Sequence, residues 1–189
     1  MNTFVKRWTT PLLSAYTEFI FTQVALSYLT RKDGWLYVFD IDNTLANTWP
    51  SFSVGYANEQ TRLEMLSIFV NMRAWLLHIH QSRKSKMLFL SARSFRHYLT
   101  TINWLKGNQL EAGLFNVFLV MSAKDKVQLL KKIEKFCGRI YYVDDLSYGH
   151  ETGQVSFYQD VIAAVKNIGV NYLGYEEIQH IINSGESHV

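Results

Sequence analysis

The chain has 189 residues, of which 48% are hydrophobic and 19% are charged, which argues for a full buried core and excludes an intrinsically disordered chain. Its 19 Lys and Arg against 16 Asp and Glu give a net charge of +3, too weak a basic excess to indicate nucleic-acid binding by itself. A single cysteine excludes an internal disulfide framework and a multi-cysteine metal site.

The first predicted element is a helix that contains an apolar stretch over residues 12–29, preceded by Lys6 and Arg7. Such a stretch superficially resembles a membrane anchor or a signal peptide, and these are the two alternatives to a packed helix. Glu18 interrupts the stretch, no small-residue cleavage site follows it, and a membrane span needs about 20 predominantly apolar residues. We therefore expect residues 1–33 to be a helical extension of a cytoplasmic protein with no stable membrane partner.

One catalytic α/β domain is predicted to follow over residues 34–189. Short apolar runs predict strands at 35–39, 86–90, 116–120, 139–143 and 170–173. Apolar residues at helical spacing predict helices at about 58–81, 95–108, 127–133, 156–166 and 176–182. Strands joined by helix-length crossovers form a parallel sheet. The predicted fold class is therefore α/β, a three-layer Rossmann-like parallel sheet with helices on both faces.

Polar and charged side chains follow the carboxyl ends of these strands, where ligands bind to open parallel sheets. They are Asp40, Asp42 and Thr44 after the first strand, Ser91 and Ala92 at the second, Lys124 and Lys126 in the helix after the third, and Asp144 and Asp145 after the fourth. Any one of them could be only a helix cap. Converging carboxylates repel one another unless a cation binds, and a site with oxygen ligands alone favours Mg²⁺. The pattern as a whole indicates a magnesium site.

The same residues resemble the four motifs of the haloacid dehalogenase (HAD) superfamily of phosphatases and phosphotransferases. The motifs are Asp-Ile-Asp-Asn-Thr-Leu at 40–45, Phe-Leu-Ser at 89–91, a lysine at 124 or 126, and Val-Asp-Asp at 143–145. The resemblance covers about residues 35–173 and does not include the N-terminal helix. Many members carry a further acid four residues beyond the metal-binding Asp, where this chain has Gly149, and Glu151 is the nearest replacement.

The resemblance implies a magnesium-dependent phosphomonoester hydrolase that forms an aspartyl-phosphate intermediate. Asp40 would be the nucleophile, and Asp42 would be the general acid and then the general base. Lys126, favoured over Lys124 by its offset from the apolar helix face, would offset negative charge on the nucleophile and the phosphoryl group. The physiological substrate, a small phosphorylated molecule or a nucleic-acid end, is left open.

The remaining implied roles are phosphate binding and metal binding. The residues that would bind phosphate are Thr44, Ser91, Ala92 and Lys126. The residues that would bind Mg²⁺ are Asp40, Asp144 and Asp145, together with Asp42, which would bind through its backbone carbonyl. His150, on the loop after the fourth motif, is a further candidate for contact with substrate.

Two alternative functions stay open. The stretch from Ser91 through Arg93 to Trp104 is similar to nucleotidase-like and polynucleotide-phosphatase-like branches of the superfamily, which suggests a nucleotide or polynucleotide-end phosphatase or a phosphotransferase. An amphipathic helix with Trp104 in the core explains the same residues. A non-catalytic phosphate-binding or scaffold protein is the other alternative.

Cover over the site is expected to be minimal or absent. Residues 45–57 have only a loop's length, and the predicted helix over 58–81 is needed to connect the first two strands. The N-terminal helix is apolar around much of its circumference, which suggests a homodimer through this helix. Burial of the helix against its own domain is the alternative explanation.

Overall fold

The computed structural model describes residues 3–29, 34–81, 85–136, 139–150 and 154–184, with side chains in the first helix at residues 12 and 14–27. The helices are α1 (Thr3–Leu29), α2 (Glu59–Glu64), α3 (Val70–Gln81), α4 (Tyr98–Gly107), α5 (Ala123–Glu134), α6 (Gln159–Lys166) and α7 (Tyr175–Asn183), and two short 3₁₀ helices are η1 (Trp49–Ser53) and η2 (Phe95–His97). The strands are β1 (Trp35–Phe39), β2 (Ala46–Asn47), β3 (Ser67–Ile68), β4 (Ser85–Ser91), β5 (Val117–Leu119), β6 (Ile140–Val143), β7 (Ser147–Tyr148), β8 (Ser156–Phe157) and β9 (Asn171–Leu173).

Within the described residues, five strands form a parallel sheet in the order β5–β4–β1–β6–β9. β1 lies at its centre, where Val38 is paired with Leu88 of β4 and with Tyr142 of β6. The predicted fold class, a three-layer Rossmann-like α/β sheet, is confirmed. Because β1 is central, the residues that follow it open onto the middle of the sheet's carboxyl edge.

Helices cover both faces of the sheet because neighbouring side chains of a strand point to opposite sides. Leu36 and Val38 of β1 belong to one buried core together with side chains of α1, α5 and α6. Phe39 belongs to the other core, which side chains of α2, α3, α4 and α7 complete. The alternation within one short strand therefore organises both hydrophobic layers.

The helix α1 packs against the sheet and α5 by one face. Phe21 and Ala25 are fully buried, and the ring of Phe21 meets Phe118 of β5 edge-on at a centroid distance of 5.2 Å. The opposite face of the helix exposes Leu12, Tyr16 and Phe19. α1 thus contributes to the main core, while the domain boundary at residue 33 and the homodimer through this helix stay predictions.

Among the described helices, none combines the length and the apolarity that a membrane crossing requires.

The prediction of one continuous helix over 58–81 is wrong, because the helix is interrupted between α2 and α3. α2 ends at Glu64, and the short strand β3 lies between α2 and α3. β3 pairs antiparallel with β2, with Ala46 opposite Ile68, and the Trp104 indole N–H donates to the Leu66 carbonyl at 2.8 Å. These contacts with distant residues hold the backbone between α2 and α3 in a non-helical conformation, which helical periodicity alone does not reveal.

We call residues 46–68 the flap. The flap is not part of the crossover helix between β1 and β4, which is α3 alone. The flap consists of β2, η1, α2 and β3. Asn58 caps α2 by accepting from the Thr61 amide at 2.9 Å. Arg62 of α2 donates to the Ser51 hydroxyl of η1 at 2.9 Å, so the two helical segments form one unit. The flap is a small cover, which the expectation of minimal cover allows, but the sequence pattern does not predict its strands β2 and β3.

Packing of α1 on the sheet leads to a stability prediction. Phe21→Ala should lower the free energy of unfolding by about 3–5 kcal/mol, because it leaves a cavity where the ring is fully buried. Phe19→Ala is the matched control, since Phe19 lies two positions away with 60% of its surface exposed, and its loss should stay below about 0.5 kcal/mol. Urea denaturation of both variants measures the difference. Equal losses would contradict the packing.

Candidate active site

Three buried carboxylates meet at the carboxyl edge of the central strands. Asp40 follows β1, and Asp144 and Asp145 follow the neighbouring strand β6. All three are buried, and one carboxylate oxygen from each lies within 4.8 Å of the others. The parallel pairing of β1 with β6 is what places them together, as expected for a site at the carboxyl ends of strands.

Lys126 enters this cluster from α5. Its ammonium Nζ lies 2.7 Å from Asp40 Oδ1 and 2.7 Å from Asp144 Oδ2, and the side chain is 3% exposed. Burial by itself lowers a lysine pKa, but Asp144 and Asp40 outweigh it and raise the pKa of Lys126, so the amine is charged. Lys124 is exposed at the rim and pairs with Asp160 at 2.9 Å. The structure therefore brings Lys126, and not Lys124, to the carboxylates.

One ammonium does not balance the negative charge of the cluster. Burial raises the pKa of Asp40 well above its usual range, with Lys126 lowering it and the neighbouring Asp144 raising it again. Burial and the charge of Asp144 likewise raise the pKa of Asp145 to about 7. A cluster of oxygen donors with excess negative charge is the chemistry that a hard divalent cation fits, so the donor set suits Mg²⁺.

The Asp42 carboxylate belongs to a separate ion pair, with Arg93. The guanidinium donates from Nε to Oδ2 and from Nη2 to Oδ1, both at 2.8 Å. Thr48 of the flap donates to Oδ1 at 2.9 Å and Ser91 to Oδ2 at 3.3 Å. Burial alone would raise the pKa of Asp42, but the charge and hydrogen bonds of Arg93 and the bond from Thr48 lower it to about 2. The two-point pair thus holds this carboxylate ionised.

Arg93 lies in the stretch that resembles nucleotidase-like branches, but the sequence alone predicts no role of its own for this residue. It follows Ser91 by two positions at the end of β4, which is the one local signal of its place at the site. Its guanidinium lies 5.9 Å from the Trp104 ring centre and 3.4 Å from the Thr101 hydroxyl. Trp104 is buried, as the amphipathic-helix interpretation expects.

Thr44 and Ser91 lie behind the site, and Ala92 lies on its surface. Thr44 is fully buried; its hydroxyl accepts from the Asp145 amide at 3.2 Å and donates to Asp145 Oδ1 at 3.5 Å. Ser91 is also fully buried, with its hydroxyl toward Asp42, whereas Ala92 lines the cavity. These contacts make Thr44 and Ser91 positioning residues, and their binding to phosphate stays a prediction.

The loop after β6 connects the carboxylates to the flap. Ser147 donates to Asp145 Oδ2, and its hydroxyl lies 2.6 Å from His150 Nε2. The His150 ring stacks on Trp49 of the flap at a centroid distance of 4.4 Å. Gly149 occupies a left-handed conformation with φ 79°, which favours glycine over the acid that the resemblance implies at this position. Glu151, the suggested replacement, lies outside the described residues.

A cavity of about 760 Å³ lies over the carboxylates. Its floor includes Asp40, Asp42, Lys126, Asp144 and Asp145, and its walls include Trp49, Phe52 and Arg62 of the flap, Arg93, Arg96 and His97 after β4, and Tyr148 and Tyr158. The sequence does not indicate that the flap side chains belong to a site, because it predicts only a loop and an amphipathic helix for this segment.

Comparison with known proteins gives one finding of similarity. No family model matches the chain, and no curated protein matches it by sequence. A solved structure of a class C acid phosphatase from Bacillus anthracis with tungstate bound is similar over 95% of this chain and 92% of that chain, at 14% identity and a TM-score of 0.48. At this identity and score the likeness carries no argument about activity.

The Arg93–Asp42 pair leads to a prediction about stability. Arg93→Ala should lower the free energy of unfolding by about 3 kcal/mol, because it leaves a largely buried carboxylate without its counter-charge. Arg96→Ala, three positions away at an exposed arginine, should change it by no more than about 0.5 kcal/mol. Urea denaturation at neutral pH compares the two variants. A loss in Arg96→Ala as large as in Arg93→Ala would argue against a special role for the pair.

Proposed function

We propose that the protein is a magnesium-dependent phosphomonoester hydrolase that works through an aspartyl-phosphate intermediate on Asp40. The observation that carries this proposal is the buried group of Asp40, Asp144 and Asp145 with the Lys126 ammonium between two of its members. Its residues are those that resemble the superfamily's motifs, and they lie at the floor of an open cavity. Three buried carboxylates beside one ammonium leave negative charge unbalanced, which supports a bound cation at this place.

Mg²⁺ would be held by the carboxylates of Asp40, Asp144 and Asp145 and by the backbone carbonyl of Asp42. When bound, it would supply positive charge that lets an anionic nucleophile approach an anionic phosphoryl group. The Asp42 carboxylate is outside this donor set, because Arg93 holds both of its oxygens.

In the first step an Asp40 carboxylate oxygen forms a bond to phosphorus while the bond from phosphorus to the leaving oxygen breaks. Lys126, at 2.7 Å from Asp40, lowers the pKa that burial raises, which favours the ionised nucleophile, and it offsets charge on the phosphoryl oxygens. The leaving oxygen takes up a proton from solvent as it departs, because the Asp42 carboxylate is ionised.

In the second step water forms a bond to phosphorus, the bond to Asp40 breaks, and the proton of the water passes to Asp42. Asp42 suits this role because it is held as a carboxylate and lines the cavity. Asp42 can accept that proton only while Arg93 gives up one of its two bonds, and it then releases the proton to solvent. Because the pair holds Asp42 without a proton, Asp42 begins the cycle as a base rather than as an acid.

The test of this proposal is phosphate release from p-nitrophenyl phosphate in the presence of Mg²⁺. Asp40→Asn keeps the shape of the side chain and removes the attacking charge, so kcat should fall by at least about a thousandfold. Excess chelator should abolish the wild-type activity, and added Mg²⁺ should restore it. Wild-type rates in Asp40→Asn, or full activity in chelator, would reject the proposal. An added alcohol acceptor separates hydrolysis from transfer through the phosphorylated product.

The two lysines of α5 offer a matched pair. Lys126→Met should lower kcat/KM by about a hundredfold or more, since it removes the charge beside Asp40. Lys124→Met, two positions earlier at an exposed residue, should change it less than about threefold. The melting temperature of each variant separates loss of fold from loss of catalysis. The opposite order of the two effects, in variants that remain folded, would assign the role to Lys124.

A further inference from the structure

Two pairs of aromatic side chains line the cavity beyond the carboxylates. Trp49 and Phe52 of the flap form one pair, with ring centroids 5.5 Å apart. Tyr148 of β7 and Tyr158 before α6 form the other, at 4.7 Å. Phe52 is 51% exposed, Tyr148 43% and Tyr158 42%. Several half-exposed aromatic rings within one concave surface are typical of a site that buries an apolar part of a ligand.

The Phe52 ring is held in place before any ligand binds. The Arg62 guanidinium carbon lies 4.2 Å from the ring centre, so a cation covers one side of the ring. Arg62 is itself held by Glu59 at 2.6 Å and by Ser51 at 2.9 Å, both within the flap. Because these side chains are already ordered, a ring that stacks on Phe52 would lose little binding free energy to ordering of the protein.

The flap also has a fixed position relative to the phosphoryl site. Thr48 donates to the Asp42 carboxylate, and the neighbouring Trp49 stacks on His150, whose ring contacts Ser147. The aromatic wall is thus tied to the floor where Asp40 lies. A cavity of about 760 Å³ holds far more than a phosphoryl group, so the space along this wall is available for the leaving group of the ester.

We propose that the cavity selects phosphomonoesters whose leaving group carries a planar aromatic ring, which stacks on Phe52 of the flap and is flanked by Tyr148 and Tyr158. This inference rests on the proposed phosphatase function and specifies the substrate class of the same site. A nucleoside monophosphate and an aryl phosphate such as O-phosphotyrosine both have the required ring.

Two matched pairs of esters test the selection and separate the two sources of the ring. Adenosine 5′-monophosphate is compared with ribose 5-phosphate, and O-phosphotyrosine with O-phosphoserine. The ring-bearing ester should have a KM lower by about 10- to 100-fold in at least one pair, the scale that stacking of one base contributes. A preference in the first pair alone identifies nucleotides, and a preference in the second alone identifies aryl phosphates. Equal KM values within both pairs would overturn the inference.

The Phe52→Ala variant tests whether this preference comes from the flap. The ratio of the two KM values within the preferred pair should fall about tenfold or more toward unity. Phe115→Ala is the control, because Phe115 is 63% exposed and does not line the cavity, and it should leave the ratio unchanged. Melting temperatures of both variants are measured alongside, so that a partly unfolded protein is recognised. An unchanged ratio in folded Phe52→Ala would overturn the stacking role.

A binding measurement keeps this inference distinguishable from the proposed function. Calorimetric titration of the Asp40→Asn variant with adenosine 5′-monophosphate and ribose 5-phosphate, and with the two phosphoamino acids, needs no turnover. A ring-dependent affinity that Phe52→Ala removes, together with no hydrolysis by the wild type, would reject the hydrolase and support the aromatic site. If the wild type hydrolyses all four esters, and the aromatic ring changes neither the affinity nor the KM within a pair, the hydrolase is supported and the aromatic site is rejected.

Discussion

The ion pairs that Lys126 makes with Asp40 and Asp144 are the interactions on which the rest of the site depends. Each of these groups is nearly inaccessible to water, and an unpaired charge in such a place costs several kcal/mol. One ammonium at 2.7 Å from both carboxylates therefore ties α5 to the ends of β1 and β6 at a single point. Tyr142 and the Leu146 amide also donate to Asp144, which fixes that carboxylate from the side of its own strand.

A second ion pair divides the carboxylates into two groups with different chemistry. Arg93 holds Asp42 through both oxygens, while Asp40, Asp144 and Asp145 share the single charge of Lys126. The first arrangement keeps an ionised carboxylate facing the cavity. The second leaves a region of excess negative charge that suits a divalent cation. In the proposed mechanism, the base and the metal site would thus not compete for the same ligands.

In the proposed function, the flap would connect this chemistry to the choice of substrate. Its Thr48 contacts Asp42 and its Trp49 contacts His150, so its position depends on both strand-end loops. The parallel sheet is a scaffold that supports many activities, and selectivity lies in the segments placed above its carboxyl edge. Here that segment carries Phe52 and Arg62 in a fixed stack. The same short insertion therefore both positions Asp42 and forms an aromatic wall.

What the sequence by itself determined was the set of elements and the residues at their ends. Short apolar runs and helical periodicity are local signals, so the parallel strands, most of the helices and the acidic residues after β1 and β6 could be predicted. The offset from the apolar helix face already favoured Lys126 over Lys124, and the tertiary structure brings the Lys126 ammonium to two of the carboxylates. Only the tertiary structure decided that Arg93 pairs with Asp42 across 51 positions, and that residues 46–68 leave the crossover to form the flap. The physical reason is that buried ion pairs and two-residue strands depend on partners distant in the chain, which local propensity does not encode.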